Sequence, residues 1–259
     1  DSDERPVIPV FWLATQDHDT AEIDHAAVLN GSEQPTELRV PLPTGPMAGR
    51  LSLSNEQLRE VLRELAEAFG DAPFASEVLA LLGQTGSGAT YSDWFARQLF
   101  AIFGEYGLVL IDPLMPEIAA LTRPIVEREL NEPLHSPAEI NAAGERLKAL
   151  GYDPTLGRGS GATNLFFERS TRGNAVRHAL KVQADGTFIA GERAYTKDEL
   201  LSAFDADPTC ITPAAGLRPI TQDFLLPTAL FVVGPGEIRY VAQLKGVYDF
   251  HHVVMPLVW

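Results

Sequence analysis

The sequence predicts an α/β fold with helices packed against a parallel sheet. Three observations carry this. Three short runs, PVIPVFWLA (6–14), LVLIDP (108–113) and ALFVVG (229–234), are apolar without alternation, the pattern of strands buried on both faces. Stretches with apolar residues at helical spacing separate them, giving strand–helix–strand order. The chain has 259 residues, 45% of them hydrophobic, which is enough for one large core with inserted pieces.

In order, PVIPVFWLA is the first strand, and TAEIDHAAVL after it opens as a turn of helix. TELRVPLP (36–43) is a strand ending in a Pro/Gly-rich turn. NEQLREVLRELAEAF (55–69) places Leu58, Val61, Leu62, Leu65 and Phe69 on one helical face behind Asn55 as N-cap. SEVLALLG is a short helix closed by Gly83, QTGSGAT a flexible link, and YSDWFARQLFAIFGEYG (91–107) a third helix. LVLIDP follows as the clearest strand. MPEIAALTRPIVERELN and SPAEINAAGERLKALG are two helices, the second entered through Ser-Pro-x-Glu. GRGSGAT (157–163) is a loop; NLFFERS, AVRHALKVQ and GTFIAG alternate and form a small antiparallel patch. TKDELLSAFDADP is a helix. LRPITQDFLLPT leads into the buried strand ALFVVG, GPGEIRYVAQLKGVYDFHH is a helix and VVMPLV a final strand. The chain is read as one partial α/β domain over 1–259, with a helical insertion at 50–90 and a second insertion at 155–215 that holds the antiparallel patch.

Net charge is −15, and an acidic surface repels phosphate backbones, so no nucleic-acid partner is expected. No run reaches 18 apolar residues, and DSDERPVI lacks the basic and apolar parts of a signal peptide, so neither a membrane span nor export is expected. The single cysteine, Cys210, allows no internal disulfide and no Cys-based zinc site; it fits a reducing cytoplasm and is read as packing. A start at Asp and an end on VVMPLVW point to a partial chain.

Ligands in open α/β sheets bind outside the carboxyl ends of strands, and three strand ends carry candidate groups: QDHD, DP and GPGE. In a shared sheet they converge on one edge. Around the first, Asp17, His18, Asp19, Glu22 and His25 admit three readings: helix capping by Asp17 or Asp19, acid/base chemistry by His18 oriented by a carboxylate, or metal ligation, whose spacing matches no standard zinc pattern. GPGE (Gly234, Gly236, Glu237) is an anion-binding turn or a plain strand–helix turn with Pro235 at the first helical position. Arg158 in the glycine-rich loop is available to an anion, and Asn164 is a weaker candidate from the same loop. Arg218 and Gln222, just before a strand, offer a carboxylate or phosphate clamp, or Arg218 is simply an ion-pair partner. His251 and His252 are read as facing a helix C-terminus, and His135 as an exposed residue before a helix.

Five ordered blocks, PVFWLATQDHDTAEIDH, TYSDWFARQLFAIFGEYGLVLIDP, ATNLFFE, LRPITQDFLLPT and FVVGPGEIRYVAQLKGVY, together resemble the BshC family, the cysteine ligases of bacillithiol biosynthesis. The resemblance runs over essentially the whole chain. It departs from the family pattern at Gln16, where Glu is usual, and at PAAGLRP (213–219). The family's glycine-rich opening block, its later core segment and its coiled coil have no counterpart here.

The resemblance implies a Rossmann-like core of nucleotidyltransferase type and a cytoplasmic enzyme that joins cysteine to glucosaminyl-malate through an amide. A carboxylate acylates poorly, so activation by ATP or another nucleotide is expected. Full-length members are expected to be homodimers through the coiled coil. On this reading Asp17, His18 and Asp19 are catalytic, with His18 as the acid/base group. Asn164, Arg218, Gln222, Gly234, Gly236 and Glu237 bind substrate or nucleotide, and no metal is assigned. The rivals are a metal-dependent hydrolase using Asp17, His18, Asp19 and His25, and a non-catalytic module that binds a nucleotide or a partner chain.

Overall fold

A computed structural model describes residues 6–84, 89–171 and 174–259. Residues 85–88 of the expected QTGSGAT link lie outside them. The chain divides into two compact units, one ending at Leu114 and one beginning at Met115.

The first unit contains β1 (Val10–Trp12), β2 (His25–Leu29), β3 (Pro35–Arg39), α1 (Asn55–Phe69), α2 (Ala75–Leu82), α3 (Tyr91–Phe103) and β4 (Val109–Ile111). β1 and β4 pair in parallel, Val10 opposite Val109 and Trp12 opposite Ile111. This is the parallel pairing that the two apolar runs predicted. Burial on both faces is not found: Val7 and Ile8 are 85% and 61% exposed, and Val10, Phe11 and Val109 are exposed as well. Among the described residues each strand has the other as its sole ladder partner, so an apolar sequence does not make a buried strand here. After β1 the expected turn of helix is a single 3-10 turn, Thr20–Glu22. The chain then turns into the antiparallel hairpin β2–β3, His25 opposite Arg39. Helix α1 is capped one residue before the expected Asn55: Ser54 accepts from the Gln57 N–H at 3.1 Å, and Gln57 Oε1 accepts from the Ser54 N–H at 3.1 Å. Gly83 caps α2 as expected.

The second unit contains α4 (Pro116–Leu121), α5 (Arg123–Asn131), α6 (His135–Ala149), β5 (Ala162–Thr171), β6 (Asn174–Val182), β7 (Phe188–Ala190), β8 (Arg193–Tyr195), α7 (Lys197–Ala206), β9 (Ile211–Pro213), α8 (Arg218–Leu225), β10 (Leu230–Phe231), α9 (Pro235–Val241), α10 (Lys245–His251) and β11 (Leu257–Val258). The antiparallel patch is a five-stranded sheet in the order β8-β7-β6-β5-β9. Ile140, Leu165, Leu180, Phe188, Leu200 and Ile220, all at most 2% exposed, form the centre of the core with their neighbours. β10 and β11 form a separate parallel pair, so among the described residues the three apolar strands are not hydrogen-bonded into one continuous sheet. Leu230 and Val232 are 48% and 68% exposed, again against the expectation of burial.

Three stretches expected as single helices or loops differ. MPEIAALTRPIVERELN breaks at Thr122, whose hydroxyl donates to the Ala119 carbonyl at 2.7 Å, before Pro124 starts a new turn. GPGEIRYVAQLKGVYDFHH breaks after α9. Gln243 there is buried and spends its whole amide on distant backbone: Oε1 accepts from the Thr155 and Leu156 N–H, and Nε2 donates to the Leu156 and Ile140 carbonyls. LRPITQD, expected just before a strand, folds into helix α8 behind Leu217, and β10 is the next element.

Candidate functional site

In the first unit, the tip of β1 folds into a hydrogen-bonded loop. Thr15 Oγ1 donates to Asp112 Oδ1 at 2.5 Å, and the same oxygen accepts the Leu114 N–H at 2.8 Å. This ties the end of β1 to the end of β4. Gly49 seats the loop, because its N–H donates to the Thr15 carbonyl at 2.9 Å and a Cβ there would stand 2.9 Å from Thr15 Cβ. Asp17 Oδ1 accepts from the N–H groups of His18, at 2.7 Å, and Asp19, at 3.2 Å. This is an Asx turn, built from the Asp17 carboxylate and the two following N–H groups. The side chains of Asp17 and His18 are also near neighbours, with Nδ1 3.7 Å from Oδ1. Asp19 stands at the N-cap of the 3-10 turn but its side chain makes no capping bond. The capping reading therefore fails for Asp19, and Asp17 serves its loop rather than a helix. Asp17, His18 and Asp19 do share one strand-end loop.

His25 does not join them. It begins β2 and bonds Asp24 Oδ1 through Nδ1 at 2.7 Å, while Arg39 holds both Asp24 oxygens at 2.7 and 2.8 Å. The His25 bond, then Arg39, keep the Asp24 carboxyl below its ordinary range, against an opposing effect of burial. Among the described residues no three His, Cys, Asp or Glu side chains are gathered as a metal site, so the hydrolase reading has no geometry to stand on.

In the second unit, Arg218, Gln222 and Glu237 come together. Arg218 and Gln222 lie one turn apart on α8, and Glu237 and Tyr240 one turn apart on α9. The guanidinium meets Gln222 Oε1 at 3.3 Å, Glu237 Oε1 at 3.4 Å and the Tyr240 hydroxyl at 3.4 Å, and lies over the Phe231 ring. Charge-assisted bonds of this type settle near about 2.7–2.9 Å when optimised, so three long contacts leave the cation loosely held. Glu237 is shared: Oε2 accepts the Gly234 N–H at 3.1 Å, closing the start of α9, and Oε1 accepts the Tyr240 hydroxyl at 3.1 Å. Burial pushes the Tyr240 phenol up, with Arg218 pulling against it. Gly234 and Gly236 flank this turn; no side chain crowds Gly236. Behind the cluster, Gln222 Nε2 donates to Asp223 Oδ1 at 3.3 Å, and the buried Tyr248 hydroxyl donates to Asp223 Oδ2 at 2.5 Å. Burial, then that bond, push the Tyr248 phenol far up.

Asn164 is not a loop residue. It sits on β5 with 0% exposure, and its carbonyl accepts the Ala214 N–H at 2.8 Å from the segment that leads into α8. Its Oδ1 accepts from Arg158 Nε at 2.8 Å, while Nδ2 has no partner. A buried unsatisfied amide of this kind costs about 1–3 kcal/mol. Sequence reasoning missed Asp223, Tyr240 and Tyr248. The i, i+3 spacing of Glu237 and Tyr240 was the available signal for one of them.

Two other expectations change. His251 is buried and its Nε2 lies 2.8 Å from Glu129 Oε1, so it faces a carboxylate of α5 rather than a helix end. Ser136 donates to the same Glu129 oxygen and does not cap α6, which begins at His135. His135 is exposed, as read, and stacks on Phe250 at 4.1 Å between ring centroids. Cys210 is buried in the core, as read.

The whole chain, residues 1–259, matches the family described as "Bacillithiol biosynthesis BshC, N-terminal Rossmann-like domain". This chain belongs to the BshC family. Its fold is α/β and Rossmann-like, with the parallel pairs seen above. Among curated relatives, "Putative cysteine ligase BshC" of Thermus thermophilus is 44% identical over 257 residues, 98% of this chain and 49% of the relative. The protein of that name from Salinibacter ruber is 36% identical, covering 100% of this chain and 47% of the relative. The one from Geobacillus thermodenitrificans is 30% identical, covering 97% and 46%. The BshC domain thus spans about half the length of the curated relatives it matches. Among the described residues no helix is long and apolar enough to cross a membrane.

Proposed function

We propose that this BshC domain contributes to a cytoplasmic cysteine ligase that joins cysteine to glucosaminyl-malate by an amide bond. The observation that carries the reading is the match to the BshC family over residues 1–259. The relatives' printed name supplies the reaction class. The geometry contributes a loosely held cation, Arg218, among Gln222, Glu237 and Tyr240, which suits an anionic ligand group. ATP or another nucleotide would supply the leaving group that makes the cysteine carboxyl an acylating agent. Arg218, with Gln222 and the Gly234–Glu237 turn, would hold its phosphates, and Asn164 would support the segment that enters α8. In the coupling step the sugar amine nitrogen attacks the activated carbonyl carbon. The C–N bond forms, the nucleotide-derived group leaves with the electron pair of its bond, and the amine sheds a proton. His18, oriented by Asp17 in the loop that also holds Asp19, is the acceptor for that proton. Full-length members would pair as homodimers.

The test is calorimetric titration of the full-length protein with ATP, ADP and glucosaminyl-malate, followed by a ligation assay. Arg218→Gln should weaken nucleotide binding by roughly tenfold or more, the loss of one charge-assisted contact. His18→Ala should leave binding intact and lower kcat by roughly a hundredfold or more. Unchanged nucleotide affinity in Arg218→Gln removes Arg218 from the site, and unchanged kcat in His18→Ala removes His18 from the chemistry.

A further inference from the structure

Arg158 carries a charge that no ion pair meets among the described residues. Its Nε donates to Asn164 Oδ1 at 2.8 Å and its Nη1 reaches only the Gly157 carbonyl, at 3.4 Å. Among the described residues no carboxylate lies within ion-pair distance. Burial pushes its pKa down, and Glu129 opposes this only from a distance. The loop that carries it is pinned from both sides of one residue: the Arg158 N–H donates to Asn141 Oδ1 and the Arg158 carbonyl accepts from Asn141 Nδ2, each at 2.9 Å. The guanidinium is thus fixed in place without an ion-pair contact among the described residues.

Beside it stands the unpartnered amide of Asn164, on a residue with 0% exposure. The orientation of that amide is forced. Arg158 Nε is a donor only, so the oxygen must face it and the NH2 group must point the other way. Gly216 completes the wall: a Cβ there would stand 3.1 Å from Arg158 Nη2 and 3.4 Å from Asn164 Oδ1. The fold thus presents one cationic edge, held through Asn164 Oδ1, while the unused amide donor of Asn164 faces away from it.

We propose that Arg158 and Asn164 form a carboxylate-binding subsite, separate from the Arg218 cluster. The planar Nη1/Nη2 edge donates two parallel bonds to a carboxylate, the geometry that guanidinium groups favour, and Asn164 holds the guanidinium in place through Nε. Carboxylate binding is a property of the fold and does not depend on the ligase reading above.

The decisive variant is Asn164→Asp. It keeps the acceptor for Arg158 Nε and adds a carboxylate beside the guanidinium, so the fold is retained or stabilised while an anion is repelled. Succinate and inorganic phosphate are titrated into the full-length protein, with thermal melts alongside. The expected result is succinate binding that is tighter than phosphate, weakened by roughly tenfold or more in Asn164→Asp and in Arg158→Gln, with the Asn164→Asp melting temperature unchanged or raised. Wild-type binding of succinate in Asn164→Asp overturns the proposal, as does the absence of succinate binding to the wild type. Tighter phosphate than succinate overturns the carboxylate assignment. Arg218→Gln separates the two sites: it should leave succinate binding within about twofold of wild type, as sites with no shared partner do, and loss there with retention in Asn164→Asp places the anion at Arg218 instead.

Discussion

Tyr248→Phe removes one oxygen from the support beneath the Arg218 cluster. The Tyr248 side chain is 1% exposed and its hydroxyl donates to Asp223 Oδ2 at 2.5 Å. Asp223 is itself 9% exposed, and its other oxygen has only a 3.3 Å contact from Gln222 Nε2. Burial, with the Asp223 bond second, holds the phenol protonated at any working pH, so the hydroxyl is always the donor. A hydrogen bond to a charged group contributes about 1.5–3 kcal/mol net. The ring stays, so no cavity term is added, and the loss should be about 2–3 kcal/mol. At about 2–4 °C per kcal/mol for a chain of this size, the melting temperature should fall by about 4–12 °C. Urea denaturation followed by far-ultraviolet circular dichroism reads it as a lower midpoint at constant slope. A double-mutant cycle with Asp223→Asn isolates the pair, and the coupling should reach about 1 kcal/mol or more. A cost under about 0.5 kcal/mol, or the same cost with and without the Asp223 carboxylate, refutes the reasoning.

Two further outcomes follow from the first unit. Asp24 has its pKa depressed by the His25 bond and then by Arg39, so its contribution to the β2–β3 hairpin is present above the ordinary value of 3.8 and is lost as pH falls below it. Amide-exchange protection at Val28 and Thr36 should therefore decline in that acid window, and Asp24→Asn should remove this pH dependence; an unchanged profile in Asp24→Asn removes the carboxylate as its source. Gly49→Ala puts a methyl 2.6 Å from Leu114 Cδ1 and 2.9 Å from Thr15 Cβ. Leu114 can turn aside but the Thr15 Cβ cannot, so the urea midpoint followed by tryptophan fluorescence should drop by the equivalent of about 1–3 kcal/mol, and an unmoved midpoint contradicts the close packing.

The sequence by itself determined what is local. Apolar runs marked β1, β4 and β10, and apolar spacing marked α1 and α3, because backbone preference and side-chain period act over a few residues. Alternation in NLFFERS and AVRHALKVQ marked the β5–β6 pair for the same reason. The clustering of Asp17, His18 and Asp19 was legible because they are neighbours in one loop. The resemblance across five blocks named the BshC family, which the match over the whole chain then established.

Tertiary structure decided the rest, because partners far apart in the chain carry no periodic signal. Whether an apolar strand is covered depends on its neighbours, and Val7, Ile8 and Val232 are exposed despite their composition. Gln243 ends a helix because distant carbonyls claim its amide. His251 meets Glu129 across 122 positions, and Arg218 meets Glu237 and Tyr240 only once α8 and α9 are packed. Asn164 read as a loop residue beside glycines. Its place on β5, buried against Arg158 with one donor unused, came from the ladder with β9 and the loop pinned by Asn141.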